Sequence, residues 1–199
     1  MGRGNGWAAW RDFKEGIKMM PIRIKRPTIE DVEALHDFFE TVITDTFRKE
    51  GIADKKEDLI AEIETKKRYL EMDLESGGED RYFYIAKIDN LIVGSIEYGP
   101  SSALICQMTK DKLKNIKEIG TVFVHPVYQR RGIGSLLLKT IYEEMDKKGV
   151  EVFCLDSGYV QAQCVWKKKF GAPSYLLKDY WDIGNDHMIW KLYLEDVRK

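Results

Sequence analysis

Between residues 118 and 149 the sequence reads as strand, glycine-bearing loop and helix. Glu118 to Val124 is rich in β-branched residues, Gln129-Arg130-Arg131-Gly132-Ile133-Gly134 follows, and a helix from Ser135 presents Leu137, Leu138, Ile141 and Met145 on one face before Gly149 ends it. Such a turn brings backbone N–H groups to a helix N-terminus, where unpaired amides and the helix dipole favour an anion. The chemistry it points to is phosphate binding. A Walker A loop is excluded, because neither Gly132 nor Gly134 is followed by Lys-Ser/Thr. A dinucleotide fingerprint needs a third glycine where Leu137 stands, and although Asp156 lies about where a ribose-binding acid would, the chain beyond it is too short for the remaining βα units.

The string Gln129-Arg130-Arg131-Gly132-Ile133-Gly134 resembles Q/R-x-x-G-x-G/A, the acetyl-CoA pyrophosphate loop of the GNAT superfamily, the general-control-related N-acetyltransferases. Its flanks, Val122-Phe123-Val124-His125-Pro126 and Ser135-Leu136-Leu137-Leu138, are similar to that family too, as is the order of elements across about residues 21–195. The resemblance implies an α/β (α+β) fold: a GNAT-like mixed, splayed β-sheet of about seven strands flanked by helices, open between the strands at 118–124 and 150–155. It implies acetyl-CoA as cosubstrate, with pantetheine in the cleft. Backbone groups of Val122 and Val124, with Phe123 between them, would hold the pantetheine and acetyl group, and the amides of Gln129, Arg130, Arg131, Gly132, Ile133, Gly134 and Ser135 the pyrophosphate. Arg130 and Arg131 read either as solvated loop cations or as phosphate contacts, and their place beside the expected phosphates favours at least one contact. Lys167-Lys168-Lys169 reads as a solvated helix face.

Acetyl transfer to an amine requires a neutral nitrogen, a polarised thioester carbonyl and a proton for the departing thiolate. Glu118 stands 11 positions before Gln129, the offset of the general-base glutamate in relatives resembling the histone acetyltransferases; the alternative is a glutamate exposed at a strand end. The family's acid is often a tyrosine in Y-x-x-x-G-F. Here that string is Trp166-Lys167-Lys168-Lys169-Phe170-Gly171, which has no hydroxyl and reverses the last two residues. Tyr159 leads the substitutes, ahead of Ser157 and Cys164, because a phenol ionises near about 10; its other reading is simple packing. His125 reads as a strand terminator, His36 as structural, and His187 stands where a substrate pocket can form. No His/Cys/Asp/Glu cluster has metal-ligand spacing, so no metal is expected.

The elements that must position these groups are legible from periodicity. Pro21 to Arg26 alternates as a strand; a helix with Val32, Leu35, Phe38 and Phe39 follows, then a polar linker from Thr41 to Asp54, and a second helix with Leu59, Ile63, Leu70 and Leu74 that stops at Gly77-Gly78. Tyr82 to Ile88 and Leu91 to Tyr98 form a hairpin through Asp89-Asn90. An insertion with a short helix precedes Lys117; a strand at Val150 to Leu155, a helix across Gln161 to Lys169 and a strand pair around Asp182 to Asp186 complete the chain, with Met188, Trp190, Leu192 and Leu194 on one face.

Composition limits the partners. With 199 residues, 44% of them apolar, one packed domain at 21–199 and an N-terminal extension at 1–20 are expected. The 32 basic and 33 acidic residues argue against bulk attraction to nucleic acid or anionic membrane. Three unpaired cysteines and no long apolar run suggest a cytoplasmic protein. The combined expectation is an N-acetyltransferase acting on a primary amine of a small molecule or peptide, with a homodimer suggested by aromatic residues near the C-terminus. The rival is a non-catalytic acyl-CoA-binding sensor, motivated by the missing tyrosine.

Overall fold

The computed structural model describes residues 21–198; the extension expected at 1–20 lies outside them. In chain order the elements are β1 (Arg23–Lys25), a 3-10 turn (Ile29–Asp31), α1 (Val32–Lys49), α2 (Lys56–Ser76), β2 (Tyr82–Ile88), β3 (Leu91–Pro100), α3 (Ala103–Met108), β4 (Lys117–Val124), a 3-10 turn (Pro126–Tyr128), α4 (Ile133–Lys147), β5 (Val152–Ser157), α5 (Val160–Phe170), β6 (Tyr175–Asp182), β7 (Asn185–Tyr193) and α6 (Leu194–Val197). Among the described residues no helix is long and apolar enough to cross a membrane.

The strands form one mixed sheet of seven in the order β1-β2-β3-β4-β5-β7-β6. Every neighbouring pair is antiparallel except β4 and β5. Against one face α4 packs Leu137, Leu138, Ile141 and Met145 onto Val93, Ile96, Phe153, Leu155 and Trp190. Against the other, α1 and α2 pack Leu35, Phe39, Phe47 and Leu70 onto Phe83, Ile85 and Ile92. Met188 and Trp190 of β7 join the α4 side together with Leu192 and Leu194, as their spacing predicts, while Ile189 faces a smaller cluster with Ile105 and Leu113.

Several element boundaries differ from the sequence expectation: β3 runs two residues further, to Pro100, and β5 is Val152–Ser157 rather than 150–155. The polar linker at 41–54 is mostly helix: α1 runs on to Lys49 because Val42, Ile43 and Phe47 continue its buried stripe between the polar residues. The first strand shrinks to three residues, since only Arg23 to Lys25 find partners on β2. Helix α4 begins at Ile133, two residues earlier than expected, with Gly132 as its N-cap in the left-handed region at φ +83°. Gly77 closes α2 in the same region, as its position predicts.

The feature that shapes the site is in β4. It pairs with β5 only through Lys117↔Phe153 and Glu118↔Cys154, after which the two strands part. Against β3 the register passes from Glu97↔Gly120 to Ser95↔Phe123, so β4 carries one extra residue there, a β-bulge. Thr121 lies in this bulge at φ +51°, a conformation that costs a β-branched residue about 1–3 kcal/mol. The extra residue reverses the alternation of the strand: Ile119 faces the α4 core, whereas Phe123, four residues on, faces the α1–α2 core and Val122 and Val124 the α4 side. Because the His125 N–H donates to the Val93 carbonyl at 3.0 Å, the peptide groups of Val122 and Val124 turn the other way, toward the edge that β5 has left.

Helix α4 reaches the sheet closely at one glycine. A Cβ on Gly94 would stand 2.9 Å from Leu137 Cδ1 and 3.0 Å from Ile133 Cγ2, in the first turns of the helix. Gly94→Ala is therefore expected to lower stability by about 1–3 kcal/mol through overpacking, with the urea midpoint moving and the slope unchanged.

Candidate active site

Where β4 and β5 part, a cleft of about 500 Å³ opens. Its floor is Glu118 to Phe123 of β4; Leu155, Asp156 and Ser157 of β5 form one wall, Glu62, Lys66 and Tyr69 of α2 another, and Tyr159, Trp166, Trp181 and His187 close the side toward the C-terminus. Of the residues singled out by sequence, Glu118, Val122, Phe123, Ser157, Tyr159 and His187 line this cleft, and Val124 and Cys164 do not. The loop 129–135 does not; it lies past the far end of β4, roughly 20 Å from Glu118 at the rise of an extended strand. One strand thus runs from the carboxylate to the anion loop.

Glu118 is not an exposed strand-end residue: it is 8% exposed at the root of the split, the last residue of β4 with a partner on β5. Its carboxylate accepts from the N–H of Ser102, the N-cap of α3. Burial, reinforced by the negative charges of Asp156 and Glu97, pushes its pKa up to about 8. A carboxyl in this state can hold or release a proton at neutral pH, which an ordinary glutamate near about 4.3 cannot.

Tyr159 packs on Phe47 with ring centroids 6.1 Å apart, and burial raises its phenol well above the usual tyrosine value. It stands where it does because Glu50, at the end of α1, accepts from the N–H groups of Val160 and Gln161 at 3.0 Å each, capping α5 across the fold. Opposite Glu118, Asp156 Oδ2 lies 3.0 Å from His187 Nε2, and His187 Nδ1 accepts from the Trp181 indole N–H at 3.1 Å. An indole nitrogen only donates, so Nδ1 must be the acceptor and Nε2 carries the hydrogen that Asp156 receives. Trp166 lines the cleft and stacks on Phe170 at 5.7 Å, filling the space its indole occupies without offering a hydroxyl.

In the loop, Gly132 has nothing within 4 Å of where a Cβ would be, and Arg130 shares its left-handed conformation at φ +62°. The N-terminus of α4 is therefore open toward a ligand. The Ile133 side chain is buried in the α4 core, so that residue offers only its amide. Gln129 donates its amide N–H to the Val124 carbonyl at 3.2 Å, tying the loop to the free edge of β4. Arg131 lies over the Tyr128 ring at 5.4 Å, and Lys167 to Lys169 are exposed.

Sequence reasoning did not find Thr121, Glu97, Asp156 in its present role, or Glu50. Glu97 alone left a trace, as the one charged residue in the strand Leu91 to Pro100.

A sequence model of the acetyltransferase (GNAT) family matches residues 39–172, more than half of the chain. No curated protein matches it. Among solved structures, a GNAT-family protein from Desulfovibrio desulfuricans superposes with TM-score 0.65 at 16% identity, covering 87% of this chain and 99% of that one. The PaiA N-acetyltransferase from Thermoplasma acidophilum, in complex with coenzyme A, gives 0.62 at 22% identity over 87% and 100%. A ribosomal-protein-alanine N-acetyltransferase from Brucella melitensis gives 0.60 at 19% over 86% and 99%. These likenesses are of fold.

The state of Glu118 has a consequence for stability. In the unfolded chain a glutamate loses its proton near pH 4.3, whereas the folded protein holds that of Glu118 until about pH 8. The folded state is therefore disfavoured progressively as pH rises through that interval. Glu118→Gln, which keeps the acceptor for Ser102, is expected to match the wild type near pH 4 and to be more stable at pH 8 by on the order of a few kcal/mol, read from urea unfolding at both values.

Proposed function

Since this chain belongs to the GNAT family of acetyltransferases, we propose that it is an acetyl-CoA-dependent N-acetyltransferase that transfers the acetyl group directly to a primary amine of a small molecule or peptide. The observation that carries this reading is the buried Glu118 facing the cleft. An alkylammonium ionises near about 10.4, so proton transfer to an ordinary glutamate is uphill by about 8 kcal/mol. With Glu118 raised to about 8, the same transfer costs about 3 kcal/mol. That difference separates an ineffective base from a working one.

In this reading the acetyl-CoA arm lies along the free edge of β4. The outward peptide groups of Val122 and Val124 hold the pantetheine and the acetyl carbonyl, and the amides from Gln129 to Ser135 at the open N-terminus of α4 hold the pyrophosphate. Arg130 and Arg131 add positive charge beside it. One proton of the ammonium is taken by Glu118 and the neutral nitrogen attacks the thioester carbon; the new C–N bond forms, the C–S bond breaks, coenzyme A leaves as its thiolate, and the second proton shed by the nitrogen passes to solvent as the amide becomes neutral. A free thiol ionises near about 8.5, below the raised phenol of Tyr159. Full proton donation by Tyr159 is then uphill, and its role is a hydrogen bond to the departing sulfur while the thiolate takes its proton as it meets solvent. A purely acyl-CoA-binding module would have no use for the destabilising burial of Glu118.

A panel of primary amines assayed for release of free coenzyme A tests the activity. With an active acceptor, kcat/KM is expected to rise with pH and to level off near 8, and Glu118→Gln to lower kcat by about 10²–10⁴ with acetyl-CoA affinity nearly unchanged. Wild-type turnover in Glu118→Gln, with chemistry rate-limiting, would place the base elsewhere. Gly132→Asp, which puts a carboxylate into the space for the pyrophosphate on a left-handed residue, is expected to abolish acetyl-CoA binding by calorimetry. Gly134→Ala is expected to be mild, because its Cβ would meet only Val124 Cγ2 at 3.7 Å.

A further inference from the structure

The bulge in β4 is held by groups that no step of the proposed chemistry uses. The buried Ser95 hydroxyl donates to the Thr121 carbonyl at 3.0 Å, and the Thr121 hydroxyl donates to Glu97 Oε1 at 3.3 Å. Glu97, 1% exposed, accepts on Oε2 from Arg81 Nη1 at 2.8 Å, and the Arg81 guanidinium lies 3.4 Å over the Tyr69 ring of α2. Both members of this ion pair rest on glycine. A Cβ on Gly120 would stand 2.4 Å from Glu97 Oε1, and one on Gly99 would stand 2.7 Å from Arg81 Cγ.

We propose that Ser95 and the Arg81–Glu97 pair form a clamp that holds Thr121 in its left-handed conformation, so that β4 keeps the phase in which the Val122 and Val124 peptide groups face acetyl-CoA. These are positioning residues, and the inference rests on the reading that the acetyl-CoA arm lies along this edge. The argument is one of alternation. A threonine has no preference of its own for φ +51°; the two hydrogen bonds from β3 supply it. Were the bulge to relax, the strand would lose its extra residue, and every peptide group beyond it would turn over. Val122 and Val124 would then point at β3, and the edge groups would be those of their neighbours. The remaining β3–β4 pairing lies on both sides of the bulge and does not require it, so the clamp serves the edge more than the sheet.

Ser95→Ala removes one arm of the clamp without exposing a charge, unlike Glu97→Gln, which would strand a buried guanidinium. Acetyl-CoA binding to the full-length protein is measured by calorimetry, with circular dichroism and thermal unfolding of the apo form as the check on fold. Ser95→Ala is expected to raise the acetyl-CoA Kd about tenfold with the fold intact. Adding Thr121→Gly in that background is expected to recover at least threefold of it, because glycine takes the left-handed conformation unaided. A role in stability alone would give no recovery, since Thr121→Gly removes a further hydrogen bond. Wild-type affinity in Ser95→Ala, or a double variant no better than the single one, would overturn the clamp while loss of binding in Gly132→Asp upholds the cleft. Wild-type affinity in Gly132→Asp would overturn the cleft reading, and the clamp with it.

Discussion

Strands β4 and β5 part after Glu118, and both the cleft and the exposed start of α4 follow from that separation. Two parallel strands that share only two residue pairs leave a run of backbone N–H and C=O groups without a sheet partner, in the middle of a seven-stranded sheet rather than at its rim. Unpaired peptide groups at depth are costly. The fold accommodates them by leaving the gap open as a cleft, and by satisfying one carbonyl from the side, through Gln129 onto Val124. The same separation exposes the N-terminus of α4 beyond the strand, so one geometric event creates both a place for an extended polar arm and a place for its phosphate end.

Charge is distributed around this gap in two different ways. Glu97 is buried more deeply than Glu118, but it has Arg81 at 2.8 Å and lies below Lys66. Glu118 accepts from a backbone N–H and has no cation bonded to it; the like charges of Asp156 and Glu97 act on it more strongly than the attraction of Lys66. Burial and the like charge of Asp156 push Glu118 up, while Asp156 itself accepts from His187, whose ring is fixed by Trp181. This destabilisation lies at the site, beside the buried Glu97 and the left-handed Thr121, while the cores on both faces of the sheet are packed by ordinary apolar contacts.

The periphery also serves the gap. Glu50, at the end of α1, caps α5 and so fixes the approach of Tyr159. Ser102 starts α3 and aims its N–H at Glu118, which gives the insertion between β3 and β4 a role at the site. Asp73, fully buried, binds Arg26 at 2.6 Å and the Phe83 N–H at 3.1 Å, tying α2 to β2 and so setting the wall that carries Tyr69 and Lys66.

Much of this was legible in the residues alone, because periodicity and turn chemistry are local. The hairpin at Asp89-Asn90, the glycine that ends α2, the strand–loop–helix unit and its likeness to an acetyl-CoA loop all follow from short stretches of sequence. The end of α1 is not legible, because its buried residues Val42, Ile43 and Phe47 are spaced among polar ones that read as a linker. Glu118 could be singled out by position, but its burial and its neighbours come from three other segments: Ser102, Asp156 and Glu97. The bulge had no sequence signal, since threonine does not favour a positive φ; it exists because Ser95 and Glu97 of the adjacent strand hold it. Interactions between near neighbours along the chain fix the set of elements and the candidate groups. The tertiary structure alone decided which strand edge is free, which carboxylate is unpaired and how far its proton is held, because these depend on groups remote in sequence brought together by the sheet.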